Sequence, residues 1–283
     1  MTNGVAGISH PAVQPQQAML PEQTLKKVAC LLQERSGIVL GTHKEEVINR
    51  RLGAFARRLQ CDGIDSYLDY LQRHPQSPEW NHFINVFTVN HTGFFREPHH
   101  FDTLSQYLTE HSRPLHLWSA AASTGEEAYS MAMTAVEAWP PSGHGVHILA
   151  SDIDTQAIDT ARQGVYKKDR VEMLPIESLR RFFQRGTGAN QGKVRVKNFL
   201  QEMIDFQVIN LVATQDWPGS ESMDVIFCRN TLIYFERDTQ VALLQRFARV
   251  LKPGGLLFVG HSENFSFMSS EFRLRGQTVY ERR

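Results

Sequence analysis

The sequence predicts an α/β protein built on a mostly parallel sheet, with a small helical domain before it and a small antiparallel unit inserted into it. Three observations predict this. Residues 115–152 run strand, tight loop, helix, strand, with an acid closing the second strand. A strand–helix–strand rhythm returns after residue 204. Between residues 21 and 90 the apolar spacing is helical.

Residues 1–20 are rich in Gln, Pro and Ala without periodicity, and read as a disordered tail. Leu25, Val28, Ala29, Leu31 and Leu32 then make one amphipathic helix, which Gly37 stops. Thr42-His43-Lys44-Glu45 has capping-box spacing and should start a second helix. Ile48, Leu52, Phe55 and Leu59 share one face of it, while Arg50, Arg51, Arg57 and Arg58 share another. Helices over residues 66–73 and 79–87 complete a helical domain of residues 21–90 with a basic stripe. Such a stripe is either a solvated face or a docking face for an acidic partner. Asn90-His91-Thr92-Gly93-Phe94-Phe95-Arg96-Glu97 joins this domain to the next and leads into a helix over residues 98–107. Spacing alone favours an interdomain joint, with Phe94 and Phe95 in a core and Arg96 on the surface.

The second domain spans residues 91–283. Its first strand, Leu115-His116-Leu117-Trp118, meets a loop of very small residues, Ser119 to Gly125. Ser123 or Thr124 is placed to cap the following helix, and Glu126 and Glu127 sit in its first turn. The second strand, Val146 to Ala150, ends in Ser151-Asp152-Ile153-Asp154. Asp154 precedes a helical pattern and reads as its N-cap, whereas Asp152 sits where a ribose would lie. The loop lacks G-x-G-x-x-G, so a single nucleoside suits it better than a dinucleotide. Residues 164–204 break the rhythm. A helix over 175–183 precedes two basic runs, Arg181 to Arg185 and Lys193 to Lys197, that flank a Gly-rich turn. They read as an antiparallel hairpin with a basic exposed edge strand, which either deters aggregation or accepts a peptide as an added strand. Strands follow at 206–209, 223–228 and 256–260, a helix at 238–251, and a last extended stretch at 272–280. A parallel sheet brings Asp152, Asn210 and the segment from Asn230 to Tyr234 to one edge.

The chain has 30 basic and 30 acidic residues, which gives no whole-protein attraction to nucleic acid. Its three cysteines are far apart and form no C-x-x-C, so neither zinc nor a disulfide framework is indicated. There is no signal-peptide pattern and no apolar run of membrane-spanning length, and a cytoplasmic monomer without membrane insertion is expected. The pair His99-His100 lacks metal-ligand spacing and a nearby acid set, and reads as surface or linker. No metal is expected. No phosphate loop or nucleophile–base–acid set is visible. The remaining chemistry suits a nucleoside with a charged side group. Asp152 would take ribose, the Asn210 amide would take an adenine edge, and the small loop and Glu127 would face an ammonium. Methyl transfer from a sulfonium needs neither a metal nor a covalent intermediate.

Several long motifs now stand in order. They are Asn90-x-Thr92-x-Phe94-Phe95-Arg96-Glu97, Trp118 through Glu127, Ala150-Ser151-Asp152-Ile153-Asp154, Phe227-Cys228-Arg229-Asn230-x-x-Ile233-Tyr234-Phe235, and Leu251-Lys252-Pro253-Gly254-Gly255 through Gly260-His261-Ser262-Glu263. Together they resemble the chemotaxis receptor methyltransferases, the CheR family, over nearly the whole chain after the tail. Ala128 stands where enterobacterial members have proline. The resemblance implies a class I S-adenosylmethionine-dependent methyltransferase of Rossmann-like fold that esterifies glutamate side chains of membrane chemoreceptors and releases S-adenosylhomocysteine. It implies cofactor contacts at Asn90, Thr92, Arg96, Glu127, Asp152, Asn210, Leu211, Arg229 and Asn230, with Arg96 and Tyr234 nearest the transferred methyl. It implies that Arg50, Arg51, Arg57 and Arg58 dock on the acidic methylation helices of the receptor cytoplasmic region. The inserted unit resembles a subdomain that binds a peptide at the receptor C-terminus. A glutamate carboxylate is ionised near neutral pH, so no general base is needed. Two rivals stand beside this reading: a methyltransferase of another substrate, and a non-catalytic receptor-binding adaptor.

Overall fold

The computed structural model describes residues 20–41, 45–139, 145–265 and 270–283. The expected tail, apart from Leu20, and the Thr42-His43-Lys44 part of the expected capping box lie outside them.

Four helices open the described chain: α1 (Glu22–Ser36), α2 (Glu45–Arg58), α3 (Ile64–Arg73) and α4 (Glu79–Asn85). Their apolar faces converge as the spacing predicts. Val28, Leu32, Ile48, Leu52, Tyr67, Leu68, Leu71 and Phe83 are essentially solvent-free in one cluster. Gly37 ends α1 in the left-handed conformation at φ 73°, where its N–H bonds to the Gln33 carbonyl. Arg50, Arg51, Arg57 and Arg58 are all exposed. Arg58 pairs with Glu79 and lies 5.1 Å over the Phe55 ring, so it also braces its own domain.

After α5 (His99–Thr109) come β1 (Leu115–Ala120), α6 (Glu126–Ala138), β2 (Val146–Asp152) and α7 (Thr155–Gln163). The inserted unit holds β3 (Val165–Lys167), α8 (Ile176–Phe182), β4 (Phe183–Arg185), β5 (Lys193–Val196) and α9 (Asn198–Gln201). Then follow β6 (Ile204–Val208), β7 (Met223–Cys228), α10 (Arg237–Val250), β8 (Leu251–Val259), β9 (Phe272–Gly276) and β10 (Val279–Arg282). The main sheet has the order β6-β2-β1-β7-β8-β10-β9. Its first five strands are parallel, and the last two join antiparallel.

The strands read as continuous apolar runs because both faces are covered. Leu117, Val225, Phe227 and Phe258 pack with α5 and α6 on one face. Trp118, Ile226, Cys228 and Leu257 pack with α10 on the other. Strand order reverses between β1 and β7, and the crevice beyond their carboxyl ends is where open α/β sheets bind ligands.

Four expectations are corrected. Neither Ser123 nor Thr124 caps α6: Gly125 occupies that position at φ 95°, and the Thr124 hydroxyl bonds to Glu126 Oε2 at 2.6 Å instead. β5 is not an edge strand, because the short β3 covers one side and β4 the other, so only β3 and β4 offer free edges in this small sheet. Lys193 and Arg195 do point outward and Val194 and Val196 inward. The stretch 272–280 is a hairpin, turned at Gln277 and Thr278, which both take positive φ (47° and 62°) without glycine. His100 is not a surface residue: it is wholly buried, with Glu97 beside it.

A Cβ on Gly37 would stand 2.5 Å from Val212 Cγ1, and the φ there is strained for any other residue. Gly37→Ala is expected to lower unfolding free energy by about 1–3 kcal/mol, read from urea denaturation. An unchanged midpoint would contradict the packing of α1's end against the sheet edge.

Candidate active site

An open cleft of about 1000 Å³, solvent at its mouth included, lies on the carboxyl edge of β6, β2, β1 and β7. Asn90, Thr92, Arg96, Glu127, Asp152, Asn210, Leu211, Arg229, Asn230 and Tyr234 all line it. The arginines of α2 do not. The helical domain supplies a wall through Ser36, Ile38 and Phe87, which the sequence alone did not mark.

The floor is the loop after β1. Ala121 and Ala122 both donate backbone N–H to the Ser151 carbonyl at 2.8 Å, which ties the loop to the end of β2. Ala121 and Ser123 take positive φ (76° and 50°), which turns the chain tightly around that point. Asp152 is nearly buried there. Its Oδ2 accepts from Ser123 N at 2.8 Å and its Oδ1 from Asp154 N at 2.9 Å. Burial pushes its carboxyl up to about 6, against those hydrogen bonds. A carboxylate has about four lone-pair sites, so Asp152, which lines the cleft, keeps acceptor capacity for a hydroxyl donor. Asp154 does the other job the spacing predicts: it caps α7 by accepting from Gln156 and Ala157 N–H. It also receives Thr88 Oγ1 (2.6 Å) and Asn90 Nδ2 (2.8 Å), so one carboxylate fixes both a helix start and the interdomain joint.

Glu127 reaches in from the first turn of α6. Ser119 Oγ donates to its Oε1 at 2.7 Å and Arg229 Nη1 to its Oε2 at 3.2 Å. Burial raises its pKa, and Arg229 opposes that. Arg229 also pairs with Glu97 Oε2 at 3.1 Å and donates to the Arg96 carbonyl. Burial alone would raise Glu97, but the Arg229 charge holds it below the ordinary carboxylate range. His100 completes this cluster, and burial with the nearby Arg229 drives its pKa down to about 4, so it is neutral at pH 7. Glu97, His99 and His100 bring three potential metal-ligand atoms within 4.8 Å of one another, a grouping the sequence reading did not anticipate. Arg229 already occupies the Glu97 carboxylate there.

Asn210 and Asn90 are more engaged than their expected roles require. Asn210 Nδ2 donates to the Arg35 carbonyl at 2.8 Å, and its Oδ1 accepts from Val212 N. Asn90 Oδ1 accepts from Ser123 Oγ at 2.8 Å. Both amides therefore hold cavity walls together. Arg96 is half-buried, with Nη1 on the His91 carbonyl at 2.8 Å. Tyr234 is 36% exposed, and its carbonyl accepts from Val39 N at 2.9 Å, the second link from the helical domain to this edge.

Glu263, wholly inside, is the residue whose role sequence reasoning missed. It sits in the last motif, but nothing in its spacing shows its partners. Its carboxylate accepts N–H from Asn230, Thr231, Leu232, Ile233 and Gly260, at 2.6 to 3.3 Å. That one group shapes the loop that ends in Tyr234.

The model of the CheR methyltransferase SAM-binding domain matches residues 90–281, and that of the CheR all-alpha domain matches residues 23–88. This chain belongs to the CheR methyltransferase family. Chemotaxis protein methyltransferases of Klebsiella aerogenes and Escherichia coli K12 are 45% and 44% identical to it. They align over 94% and 92% of this chain and 91% of their own lengths. Chemotaxis protein methyltransferase 2 of Pseudomonas aeruginosa is 47% identical over 87% of this chain and 88% of its own. Like the family, the domain of residues 90–281 binds S-adenosylmethionine. The cleft fits that group: a small-residue floor admits a nucleoside, and a buried carboxylate has free acceptor sites for its ribose.

Glu263→Gln would turn one accepting oxygen into an NH2 facing the same donors. The expected loss is about 2 kcal/mol in urea denaturation, with faster hydrogen exchange at the amides of residues 230–233. Unaltered exchange there would contradict the role given to Glu263.

Proposed function

We propose that this chain methylates glutamate carboxylates in the cytoplasmic region of chemoreceptors, forming methyl esters that serve chemotactic adaptation. It would act in the cytoplasm; among the described residues no helix is long and apolar enough to cross a membrane. One observation carries the reading. Every position at which family resemblance implies a donor or catalytic contact lines a single cleft, in a chain that matches chemotaxis protein methyltransferases over most of its length.

When bound, S-adenosylmethionine supplies an electrophilic methyl group on a sulfonium. Asp152 would accept the ribose hydroxyls, and the Leu211 segment would border the base. Glu127 would present a buried negative charge toward the positive end of the donor, braced by Ser119 and Arg229. No general base is required, because the substrate carboxylate is already ionised. The task left to the protein is alignment, which is worth up to roughly 10 kcal/mol in good cases. Tyr234 is our first choice for it: it lines the cleft and is 36% exposed, within reach of an incoming carboxylate. Arg96 would hold the substrate carboxylate or the methionine end without quenching the nucleophile. The exposed Arg50, Arg51 and Arg57 would meet acidic receptor helices, with Arg58 in a supporting place beside Glu79. The free edges of β3 and β4 would take a receptor C-terminal peptide.

The direct test is incubation with labelled S-adenosylmethionine and chemoreceptor fragments. Base-labile methyl esters on glutamate are expected; label that resists base would overturn the reading, and no label would favour the adaptor. Tyr234→Phe is expected to lower kcat by about ten- to a hundredfold while binding the donor nearly as well; unchanged turnover would remove Tyr234 from the mechanism. Hydroxyls favour the ionised Asp152, so binding lowers the pKa of a group that stands at about 6 in the free protein. Affinity for S-adenosylhomocysteine, measured by calorimetry, should be flat above about pH 7 and fall as pH drops through 6. Asp152→Asn should bind weakly and lose that slope.

A further inference from the structure

The inserted β subdomain grips the donor cleft from outside through one side chain that no motif marks. Arg170 stands on the 3-10 turn after β3. Its Nη2 donates to the Thr92 carbonyl at 2.8 Å and also bonds to Glu126 Oε1. Thr92 lines the cleft, and Glu126 opens α6 directly after the small-residue floor. The Glu126 side chain is 1% exposed and the Arg170 side chain 41%. Among the described residues, the other partner of that carboxylate is the neutral Thr124 hydroxyl.

Two further ties run the same way. Tyr166, on β3, donates its hydroxyl to the Thr124 carbonyl at 2.7 Å. Phe94 packs edge-on against Tyr166 (5.1 Å) and Phe183 (5.4 Å), both in the small sheet. Two walls of the cleft, the 92–94 segment and the 121–126 loop, are thus joined through the subdomain as well as through the main sheet.

We propose that Arg170 is a positioning residue for the methyl donor. By bonding Thr92 and Glu126 with one guanidinium it sets the gap between the interdomain segment and the entrance to α6, so the cleft is shaped before the donor arrives. Loss of Arg170 leaves a buried carboxylate with one neutral partner. Glu126 must then turn outward or draw water in, and either movement displaces the floor of the cleft. The pair itself is partly screened, so the effect is local rather than global. The proposal rests on reading the cleft as the donor site.

The experiment uses the full chain and calorimetric binding of S-adenosylhomocysteine. Arg170→Ala should bind about tenfold more weakly than wild type, the cost of leaving one such buried partner unsatisfied. In turnover the loss should appear in the donor KM rather than in kcat. The double variant Arg170→Ala/Glu126→Gln should recover most of the affinity, because a neutral amide needs no cation. A merely structural Arg170 would not show that rescue. Binding by Arg170→Ala equal to wild type, or a double variant no better than the single, would overturn the proposal alone. Failure of the wild type to bind S-adenosylhomocysteine would overturn it together with the reading of the cleft.

Discussion

The site depends on one buried cation. Arg229, at the end of β7, is 7% exposed and ties two distant segments to its own strand end. It pairs with Glu97 after the interdomain segment and with Glu127 in the first turn of α6, and it donates to the Arg96 carbonyl. The Phe101 and Phe227 rings lie below it at 5.8 and 5.9 Å. Burying charges in this way is costly unless the partners are complete, and removing one partner leaves the others exposed to the full penalty. A neutral His100 keeps a second positive charge out of the cluster. Arg96 and Glu127, two cleft residues from distant segments, are placed relative to one another by this single guanidinium.

The other polar groups divide between building the cleft and facing into it. Asp154, Asn90, Asn210 and Glu263 spend their hydrogen-bonding capacity on backbone and on neighbouring side chains. Asp152, Arg96 and Tyr234 line the cleft, and the Arg96 side chain spends only Nη1 on the His91 carbonyl. The helical domain belongs to the same construction. Its α1 end meets Asn210 through the Arg35 carbonyl, and Val39 meets Tyr234, so the helical domain is fastened to the edge where methyl transfer would occur.

Much of this was legible in the sequence where the cause is local. The apolar runs of β1, β7 and β8 announced strands of a mostly parallel sheet. Gly37 announced a helix end, and Asp154 separated from Asp152 because a helical pattern follows it. Features set by distant partners were not legible. Glu263 is one carboxylate near the end of the chain, and all of its backbone donors except Gly260 lie about thirty residues earlier. β5 reads as an edge because its cover, β3, is three residues long and carries no strand signal of its own. The two central turn residues, Gln277 and Thr278, are not glycine, and the glycine of this turn, Gly276, precedes them, so their positive φ values leave no mark. His100 reads as linker until Glu97 and Arg229 are brought beside it.

The central claim is that Asp152 and the loop after β1 seat the methyl donor with its sulfur toward Tyr234. A crystal structure with S-adenosylhomocysteine tests it most directly. The account predicts both ribose hydroxyls within about 3 Å of the Asp152 carboxylate, with the sulfur on the Tyr234 side of the cleft. A ribose bound elsewhere, leaving Asp152 with backbone N–H partners alone, would contradict it.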